Sequence, residues 1–460
     1  MRARPVIACL AVFMALPALA EQFATGRYVE KVACQADPSQ TYTLYLPSAY
    51  TPARTWPLLL VFDPGGRSVA AADVFRDAAE QYGWILMCSD NTRSGDPIEP
   101  SVKAINAMWP DANVRFAADP RRLYASGFSA GAHFSWLLGK QSGALAGIIA
   151  TGGRLIPEYM PEKRTYAHFG AAGTADFNFQ GMKLVDAEME RRGVPHRLEI
   201  FVGEHQWIPK ELGAQAIEWM ELQAIKEGRR AADAALVERG WTRDLERARA
   251  LETGGDALGA LRLYRVIAAT FEGLRDVAEP KQHAALLEKS PAVATAEKDE
   301  KHWDKLEDRY DRQVFGAVAE VRDAEVPPPV ARVVHELEIA KYEELAKEDS
   351  YAGHAAARFL NRAYVQMAFY VMQEFFNRGE YARAATCLEV ATRIRPSAPG
   401  PWYNLACAHA RAGAKSAALA ALVKAVNAGW SDVKQLENDA DLASLHGEEG
   451  YKALVSRLGS

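Results

Sequence analysis

The chain of 460 residues is predicted to contain a mostly parallel β-sheet with helices on both faces, followed by an all-helical region. Short apolar runs alternate with helical stretches up to about residue 225, which is typical of such a sheet. Beyond that point alanine, leucine and charged residues recur at helical spacing as far as the C-terminus. The length exceeds what one hydrophobic core normally holds, so we expect two or three domains.

The first twenty residues are predicted to be a secretory signal peptide. Arg2 and Arg4 precede an apolar run, Val6 to Leu16, and Ala18-Leu19-Ala20 forms a small-residue cleavage site. The apolar run is shorter than the roughly 20 residues that a membrane-spanning helix needs. We therefore expect cleavage, no stable membrane span and a periplasmic or secreted mature protein. Lipidation at Cys9 is a minor alternative.

Charge and cysteine content narrow the expected partners. Loss of Arg2 and Arg4 moves the formal net charge from -5 to -7, which gives no basic face for nucleic acid or an anionic membrane. Export permits disulfides, so Cys34 and Cys88 form a conceivable bridge, but buried free thiols are equally compatible with the sequence. No C-x-x-C or His/Cys cluster suggests a metal site, and we expect no metal or organic cofactor.

Residues 21–225 are predicted to form the sheet-containing domain. Solid apolar runs are typical of central strands buried on both faces. The predicted strands are Thr41 to Leu46, Pro57 to Phe62, Trp84 to Met87, Arg122 to Gly127, Gly147 to Thr151, Tyr166 to Ala171 and Arg197 to Val202. The predicted helices between them are Val69 to Tyr82, Val102 to Phe116, Ala132 to Gly139 and Gly181 to Arg192.

The helical region divides into two parts. Residues 226–350 show no clear layout, and Ser290 to Lys305 is predicted to be a charged loop that leads into a helix. In residues 351–460 the stretch around Gly379 with Ala384 is matched 34 residues later by Gly413 with Ala418. This period resembles the tetratricopeptide repeat, which implies a surface for a protein partner. A plain helical bundle is the alternative.

The pentapeptide Gly127-Phe128-Ser129-Ala130-Gly131 lies where an apolar strand runs directly into an amphipathic helix. A sharp strand-to-helix turn admits only small residues on either side of a serine, and such a serine is a candidate nucleophile. The hydroxyl needs a base, and the base needs an acid that holds its tautomer. Asp176 and His205 each follow a predicted strand, in the order acid and then histidine.

Residues 25–225 resemble the α/β-hydrolase superfamily, in particular secreted esterases of the dienelactone hydrolase and polyhydroxyalkanoate depolymerase type. Asp119-Pro120-Arg121-Arg122-Leu123-Tyr124 before the pentapeptide, Gly173-Thr174-Ala175-Asp176 and Gly203-Glu204-His205-Gln206-Trp207 carry the resemblance. It implies Ser129 as nucleophile, His205 as general base and Asp176 as the orienting acid. Weaker candidates are Asp186 and Glu204 for the acid, and His133, His168 and His196 for the base.

An oxyanion hole needs two N–H donors. Ala130 is expected to supply one, and the other is expected from the loop after the strand that ends at Phe62. Where relatives carry a His-Gly pair, this chain has Asp63-Pro64, and proline has no N–H. Gly65 or Gly66 is therefore the predicted second donor.

Asp63 places a carboxylate near the developing negative charge, so its role is a question of its own. We consider pairing with Arg67, recognition of a cationic substrate group, and hydrogen bonding to loop amides, of which the last is favoured. Further candidates for substrate contact are Asn91 and Arg93, which follow a strand, and Trp207.

The resemblance implies two-step hydrolysis of a small or polymeric carboxylic ester through an acyl-enzyme. A peptidase or amidase with the same triad is the nearest alternative. A binding or assembly protein, with helical repeats that hold a partner and a catalytically weak hydrolase domain, is a third.

Overall fold

The computed structural model describes residues 23–95, 97–160 and 166–459. The predicted signal peptide lies outside the described residues. Two compact units make up the chain, one up to Asp299 and the other from Glu300.

The first unit contains a mixed, mostly parallel sheet of eight strands. Their order is β1-β2-β4-β3-β5-β6-β7-β8; β2 runs antiparallel to β1 and β4, and every other pair is parallel. The strands are β1 Tyr28–Ala33, β2 Thr41–Tyr45, β3 Trp56–Phe62, β4 Ile85–Ser89, β5 Ala118–Phe128, β6 Gly147–Thr151, β7 Ala167–Gly173 and β8 His196–Phe201. This α/β-hydrolase-like architecture confirms the predicted fold class.

Helices cover both faces of the sheet. The helices of the first unit are α1 Ser68–Tyr82, α2 Glu99–Val114, α3 Ala130–Ser142, α4 Phe179–Arg192, α5 Lys210–Lys226, α6 Ala234–Thr253, α7 Ala257–Phe271 and α8 Ala278–Leu287. Helices α1 and α5 pack with the strands in one apolar cluster. Helices α2, α3 and α4 also pack against the strands, but their residues do not belong to that cluster. The carboxyl ends of β5, β7 and β8 therefore open onto one edge, where loops can bring polar groups together.

Strand β1 was missed in the sequence analysis because it lacks an apolar pattern. It is an edge strand that pairs only with β2, and its register shifts between Val29 and Val32. Within that irregular stretch Lys31 has a φ of 56°. Glu30 and Lys31 are exposed, so little apolar periodicity is present to reveal the strand.

Helices α6 to α8 belong to the same unit as the sheet, so the predicted domain end at residue 225 does not coincide with the end of the unit. The buried Arg197 of β8 forms an ion pair with the buried Asp244 of α6, with 2.6 Å between Nη1 and Oδ2. The Trp219 indole N–H also donates to Thr270 of α7 at 3.1 Å. These contacts join residues beyond 225 to the hydrolase-like core.

The second unit is helical, and its core is one large apolar cluster. Its helices, with α9 spanning the unit boundary, are α9 Pro291–Asp323, α10 Val330–Glu336, α11 Ile339–Leu345, α12 Tyr351–Val365, α13 Val371–Arg378, α14 Tyr381–Ile394, α15 Pro399–Arg411, α16 Lys415–Asn427, α17 Val433–Asn438 and α18 Glu449–Gly459. The helix pairs α13/α14 and α15/α16 repeat at the predicted spacing, since α14 and α16 begin 34 residues apart, at Tyr381 and Lys415 (415 − 381). Their assignment to the tetratricopeptide family stays a prediction.

The loop predicted for Ser290 to Lys305 is wrong, because helix α9 begins there. Ser290 Oγ accepts a 3.2 Å hydrogen bond from the Val293 amide, which caps the helix, and Pro291 suits the first helical position. Val293 is buried against Leu258 and Leu261. One capping serine and one apolar contact thus start a helix in a segment whose charge had favoured a loop.

Within the described residues, no helix combines the length and apolar character that crossing a bilayer would require. The cysteines of this part of the chain, Cys34, Cys88, Cys387 and Cys407, are buried free thiols.

Candidate active site

Ser129 lies in a strained turn between β5 and α3. Its φ of 55° and ψ of −118° fall in a region that residues other than glycine rarely adopt. A Cβ at Gly131 would lie 1.8 Å from the Phe62 carbonyl oxygen, and a Cβ at Gly127 would lie 2.1 Å from the backbone of Gly131. The small residues predicted from the sequence are thus required by backbone packing around the serine.

Ser129, His205 and Asp176 form one continuous hydrogen-bonded chain. His205 Nε2 lies 2.9 Å from Ser129 Oγ, and His205 Nδ1 lies 2.8 Å from Asp176 Oδ1. In the tautomer that carries its proton on Nδ1, His205 donates to the Asp176 carboxylate and Nε2 accepts the serine hydroxyl. The three loops after β5, β7 and β8 therefore bring together the three side chains for which the sequence predicts the roles of nucleophile, base and acid.

Asp176 is held rigidly by its own loop. The side chain is fully buried, and Oδ1 also accepts a 2.7 Å hydrogen bond from the Asn178 amide. The Asn178 side chain in turn donates to the Gly152 carbonyl at 2.8 Å. A Cβ at Gly152 would lie 2.7 Å from Asp176 Oδ2 and 3.2 Å from the His205 ring, so only glycine fits beside the acid and the base.

Aromatic rings fix the plane of His205. The Phe177 and Phe128 ring centroids lie 4.1 and 4.5 Å from that of the imidazole. The sequence analysis missed Phe177, Asn178 and Gly152. Phe177 and Asn178 directly follow Asp176, and Gly152 directly follows β6, so position after a strand was the signal that pointed to them.

The competing acids lie elsewhere. Asp186 is on α4, where its Oδ1 faces His196 Nε2 at 3.8 Å, and burial raises the pKa of this carboxyl. Glu204 is exposed, although it adjoins His205 in sequence.

The other candidate histidines make contacts with residues outside the triad. Burial, with a smaller effect of the Arg154 charge, lowers the pKa of His133 to about 4, and its Nε2 accepts the Arg154 amide at 3.3 Å. Burial lowers the pKa of His168 to about 3, and its Nε2 accepts the Trp136 indole N–H at 3.1 Å. His196 Nε2 lies 3.2 Å from Glu190.

The predicted oxyanion donors differ in availability. Ala130 is the first residue of α3, and amides in a first helical turn have no acceptor within the helix. The Gly65 amide instead donates to Asp63 Oδ1 at 2.7 Å, and the Gly66 amide donates to the Asp63 carbonyl at 3.1 Å. A donor role for Gly65 or Gly66 stays a prediction, and it requires those hydrogen bonds to open.

The Asp63 side chain is buried, and both of its carboxylate oxygens accept more than one hydrogen bond. Oδ1 accepts the amides of Gly65 and Arg67 and the Arg67 Nε–H, while Oδ2 accepts Arg67 Nη2 and the Trp207 indole N–H. Burial alone would raise the pKa of Asp63, but the hydrogen bonds from Arg67, Trp207 and the loop amides outweigh it and the pKa is lowered. The structure thus shows the Arg67 pair and the amide bonds together, and it leaves no free carboxylate oxygen for a substrate cation.

Asn91 and Arg93, which were predicted to contact substrate, form hydrogen bonds within the protein. Asn91 Oδ1 accepts the Thr41 amide at 2.7 Å. Arg93 Nη1 donates to the carbonyls of Asp90 and Thr92 at 2.8 and 2.7 Å. These contacts fix the loop after β4, and substrate contact by either residue stays a prediction.

Comparison with solved structures finds similar folds over slightly less than half of the chain. S-formylglutathione hydrolase FrmB from Staphylococcus aureus has 14% identity and a TM-score of 0.36, covering 44% of this chain and 99% of its own. An esterase from the archaeon Pyrobaculum calidifontis has 13% identity and a TM-score of 0.36, covering 44% and 85%. Thermogutta terrifontis esterase 2, phosphorylated by paraoxon, has 17% identity and a TM-score of 0.34, covering 47% and 100%.

No protein-family model matches the chain, and neither does any curated protein. At these identities the likeness to the solved structures concerns the fold alone. Function is therefore inferred from the side chains of the site.

Among the described residues, the group that comes nearest to a metal site is in the helical unit, where Cys407, Asp439 and Asp441 lie close together. Tyr403 donates to Asp439 Oδ2 at 2.7 Å, and Arg411 Nη1 donates to Asp441 Oδ1 at 2.6 Å. Both carboxylates already have partners, and burial raises the pKa of the Cys407 thiol, so the group is a poor cation site.

Proposed function

We propose that this protein is a serine hydrolase that cleaves carboxylic esters through Ser129, His205 and Asp176. The observation that carries the proposal is the pair of contacts on the two nitrogens of His205, 2.9 Å to Ser129 Oγ and 2.8 Å to Asp176 Oδ1. The strained backbone at Ser129 supports it, because strain at a turn of this kind exposes the hydroxyl of a nucleophile.

The proposed reaction has two steps. Ser129 Oγ attacks the ester carbonyl while His205 Nε2 takes the hydroxyl proton, and the Ala130 amide stabilises the oxyanion. The intermediate collapses as its C–O bond to the alcohol breaks, and His205 returns the proton to the departing oxygen. Water then attacks the acyl-enzyme, His205 takes its proton, and the acid leaves as Ser129 regains a hydrogen.

The loop after β3 favours esters over amides as substrates. With the Gly65 and Gly66 amides bonded to Asp63, Ala130 is the donor that remains from the predicted set. Losing one oxyanion donor costs about 10²–10³ in kcat. An aryl ester has a good leaving group and tolerates that loss, whereas an amide depends more strongly on oxyanion stabilisation.

The test compares a 4-nitrophenyl ester with the 4-nitroanilide of the same acyl group. We expect the wild type to hydrolyse the ester faster, and Ser129→Ala and His205→Ala to lose the activity while remaining folded. Turnover that persists in Ser129→Ala would contradict the assigned nucleophile. Comparable rates on the two substrates would instead support the amidase alternative.

We also propose export to the periplasm or beyond, on the basis of Arg2, Arg4 and the apolar run that follows them. Expression of the full chain in a Gram-negative host should give a secreted or periplasmic product that begins at Glu21. An N-terminus at Met1 in the cytoplasmic fraction would contradict export.

A second candidate function, binding of a protein partner, has one specific observation in its favour. A groove of about 810 Å³ runs along α10, α14, α15 and α16 of the helical unit. Val330, Val334 and Leu405 supply apolar surface, and Arg393 and Lys424 supply positive charge. If the groove only serves a partner, deletion of residues 300–460 should leave the hydrolysis of small esters intact. Loss of that hydrolysis would show that the active site depends on the helical unit.

A further inference from the structure

Asp63 has an unusual environment for a carboxylate beside a nucleophile. It is 1% exposed and accepts five hydrogen bonds, which come from Gly65, Arg67 and Trp207. A buried carboxylate is tolerated only when it is paired and hydrogen-bonded in this way. Asp63 takes no part in either of the two proposed chemical steps.

Its contacts connect three loops at the carboxyl edge of the sheet. Gly65 and Arg67 lie on its own loop between β3 and α1. The Asp63 carbonyl accepts the Thr92 hydroxyl at 2.8 Å, which attaches the loop between β4 and α2. The Trp207 indole N–H, at 2.7 Å from Oδ2, attaches the loop that carries His205.

The loop of His205, residues 202–209, needs such an attachment. At its start Val202 is 86% exposed, and the loop is held there by the Ala175 amide, which donates to the Gly203 carbonyl at 2.8 Å. At its end Trp207 packs against Phe128 and Phe75, with ring centroids 5.8 and 6.1 Å apart. The hydrogen bond to Asp63 fixes how far the indole can slide over those rings.

We propose that Asp63 is a positioning residue: through Trp207 it holds the His205 loop so that Nε2 stays within hydrogen-bond reach of Ser129 Oγ. This inference rests on the proposed function. A displacement of about 1 Å in a catalytic group can cost about 10²-fold in rate. The hydrogen bond between Asp63 and Trp207 involves no atom of Ser129 or His205. Its effect on the position of Nε2 is therefore transmitted through the loop.

The same contacts explain why an acid is compatible with the site. The Arg67 guanidinium neutralises the carboxylate from the side exposed to solvent, and the two loop amides direct their partial positive charge toward Oδ1. The negative charge is thereby compensated locally, and its repulsion of a developing oxyanion is reduced.

Two substitutions break the contact from opposite sides. Trp207→Phe keeps an aromatic ring against Phe128 but removes the N–H donor. Asp63→Asn keeps an oxygen for the Gly65 amide, while its own NH₂ group faces the indole donor. Lys210→Ala is the matched control, because it removes the exposed ion pair between Lys210 and Asp73 just after the same loop.

The measurements are kcat and KM on a small aryl ester, together with thermal unfolding and labelling of Ser129 by a fluorophosphonate. We expect Trp207→Phe and Asp63→Asn each to lower kcat about 10- to 100-fold while KM changes less than about 3-fold. The kcat of the double variant should lie within about 3-fold of the kcat of the less active single variant, since both substitutions remove the same hydrogen bond. Lys210→Ala should retain wild-type kcat.

A wild-type kcat in folded Trp207→Phe, or losses that multiply in the double variant, would overturn the inference. In that case labelling of Ser129 in the wild type would leave the proposed function standing. A folded wild type that is not labelled would instead overturn the proposed function, and the role of Asp63 with it.

Discussion

The Ser129 amide donates a 2.9 Å hydrogen bond to the carbonyl of Thr151, the last residue of β6. This contact ties the strained residue to the neighbouring strand. A left-handed conformation outside glycine costs about 1–3 kcal/mol and persists only when the surroundings enforce it. The bond to Thr151 and the close approach of Gly131 to Phe62 are two such constraints.

Gly131→Ala should destabilise the hydrolase-like unit. The new Cβ would lie 1.8 Å from the Phe62 carbonyl oxygen, which is backbone and cannot rotate away. We expect a loss of about 1–3 kcal/mol in the free energy of unfolding, measured in urea, together with loss of esterase activity. Gly316→Ala in α9 is the control, because nothing lies within 4 Å of its Cβ position. An active, stable Gly131→Ala protein would contradict the geometry of the turn.

Asp244→Ala should be strongly destabilising, because it leaves the buried Arg197 with one carboxylate partner, Glu199, in place of two. Breaking a buried pair by removing one member costs about 3–5 kcal/mol. Glu238→Ala on the same helix removes an exposed ion pair with Arg275 and should cost less than about 1 kcal/mol. Urea unfolding of both variants measures the difference, and equal effects would argue against a role for the buried pair in stability.

The stability of the hydrolase-like unit should fall in acid partly through Asp244. Burial would raise the pKa of this carboxyl, but Arg197 and Arg243 outweigh it and the pKa is lowered. Its stabilising contribution is therefore present above the unfolded pKa of about 3.9 and is lost as the pH falls through the folded value. The free energy of unfolding should decline less steeply below pH 5 in Asp244→Asn than in the wild type. An identical slope in the two proteins would contradict this assignment.

The thiols of Cys34 and Cys88 should be unreactive in the folded protein. Burial raises the pKa of Cys34 to about 12 and also raises that of Cys88. Only the thiolate reacts with a disulfide reagent, so both side chains should react at pH 8 only after unfolding. Titration in denaturant without reductant should count four thiols in residues 21–460, those of Cys34, Cys88, Cys387 and Cys407. A shortfall of two would instead reveal the Cys34–Cys88 bridge that the sequence left open.

Local patterns in the sequence pointed to three side chains that the structure brings into contact, and their catalytic roles stay a prediction. Ser129 is marked by small neighbours at a strand end, and Asp176 and His205 by their order after later strands. The sequence favoured hydrogen bonds from loop amides to Asp63, and the structure shows them. It did not predict that the amide of Gly65, a candidate oxyanion donor, is one of them, because that depends on the folding of one loop onto its own carboxylate. Substrate contact by Trp207 stays a prediction, and the sequence did not reveal that its indole N–H donates to Asp63, 144 positions away.

The same division holds for the fold. Apolar runs gave the central strands to within a few residues, but edge strand β1 has no such run. The end of the first unit could not be predicted from local sequence patterns. The Arg197–Asp244 pair joins a strand to a helix 47 residues later, and such a long-range contact leaves no local pattern.

A shortened chain tests where that unit ends. Residues 21–299 should fold cooperatively, because they contain both Arg197 and Asp244. Residues 21–225 lack Asp244 and Thr270, so they would leave Arg197 without one of its buried partners and should be insoluble or unfolded. Circular dichroism and urea unfolding of the two chains measure this, and a stable, cooperatively folding 21–225 would contradict the assignment.

Mass spectrometric mapping of a fluorophosphonate adduct tests the central claim most directly. The probe should add to Ser129 in the folded wild type, and Asp176→Asn should slow labelling by about 10³–10⁴-fold, because the imidazole then loses its orienting carboxylate. Absence of an adduct on Ser129, or labelling at an unchanged rate in Asp176→Asn, would contradict a working triad of Ser129, His205 and Asp176.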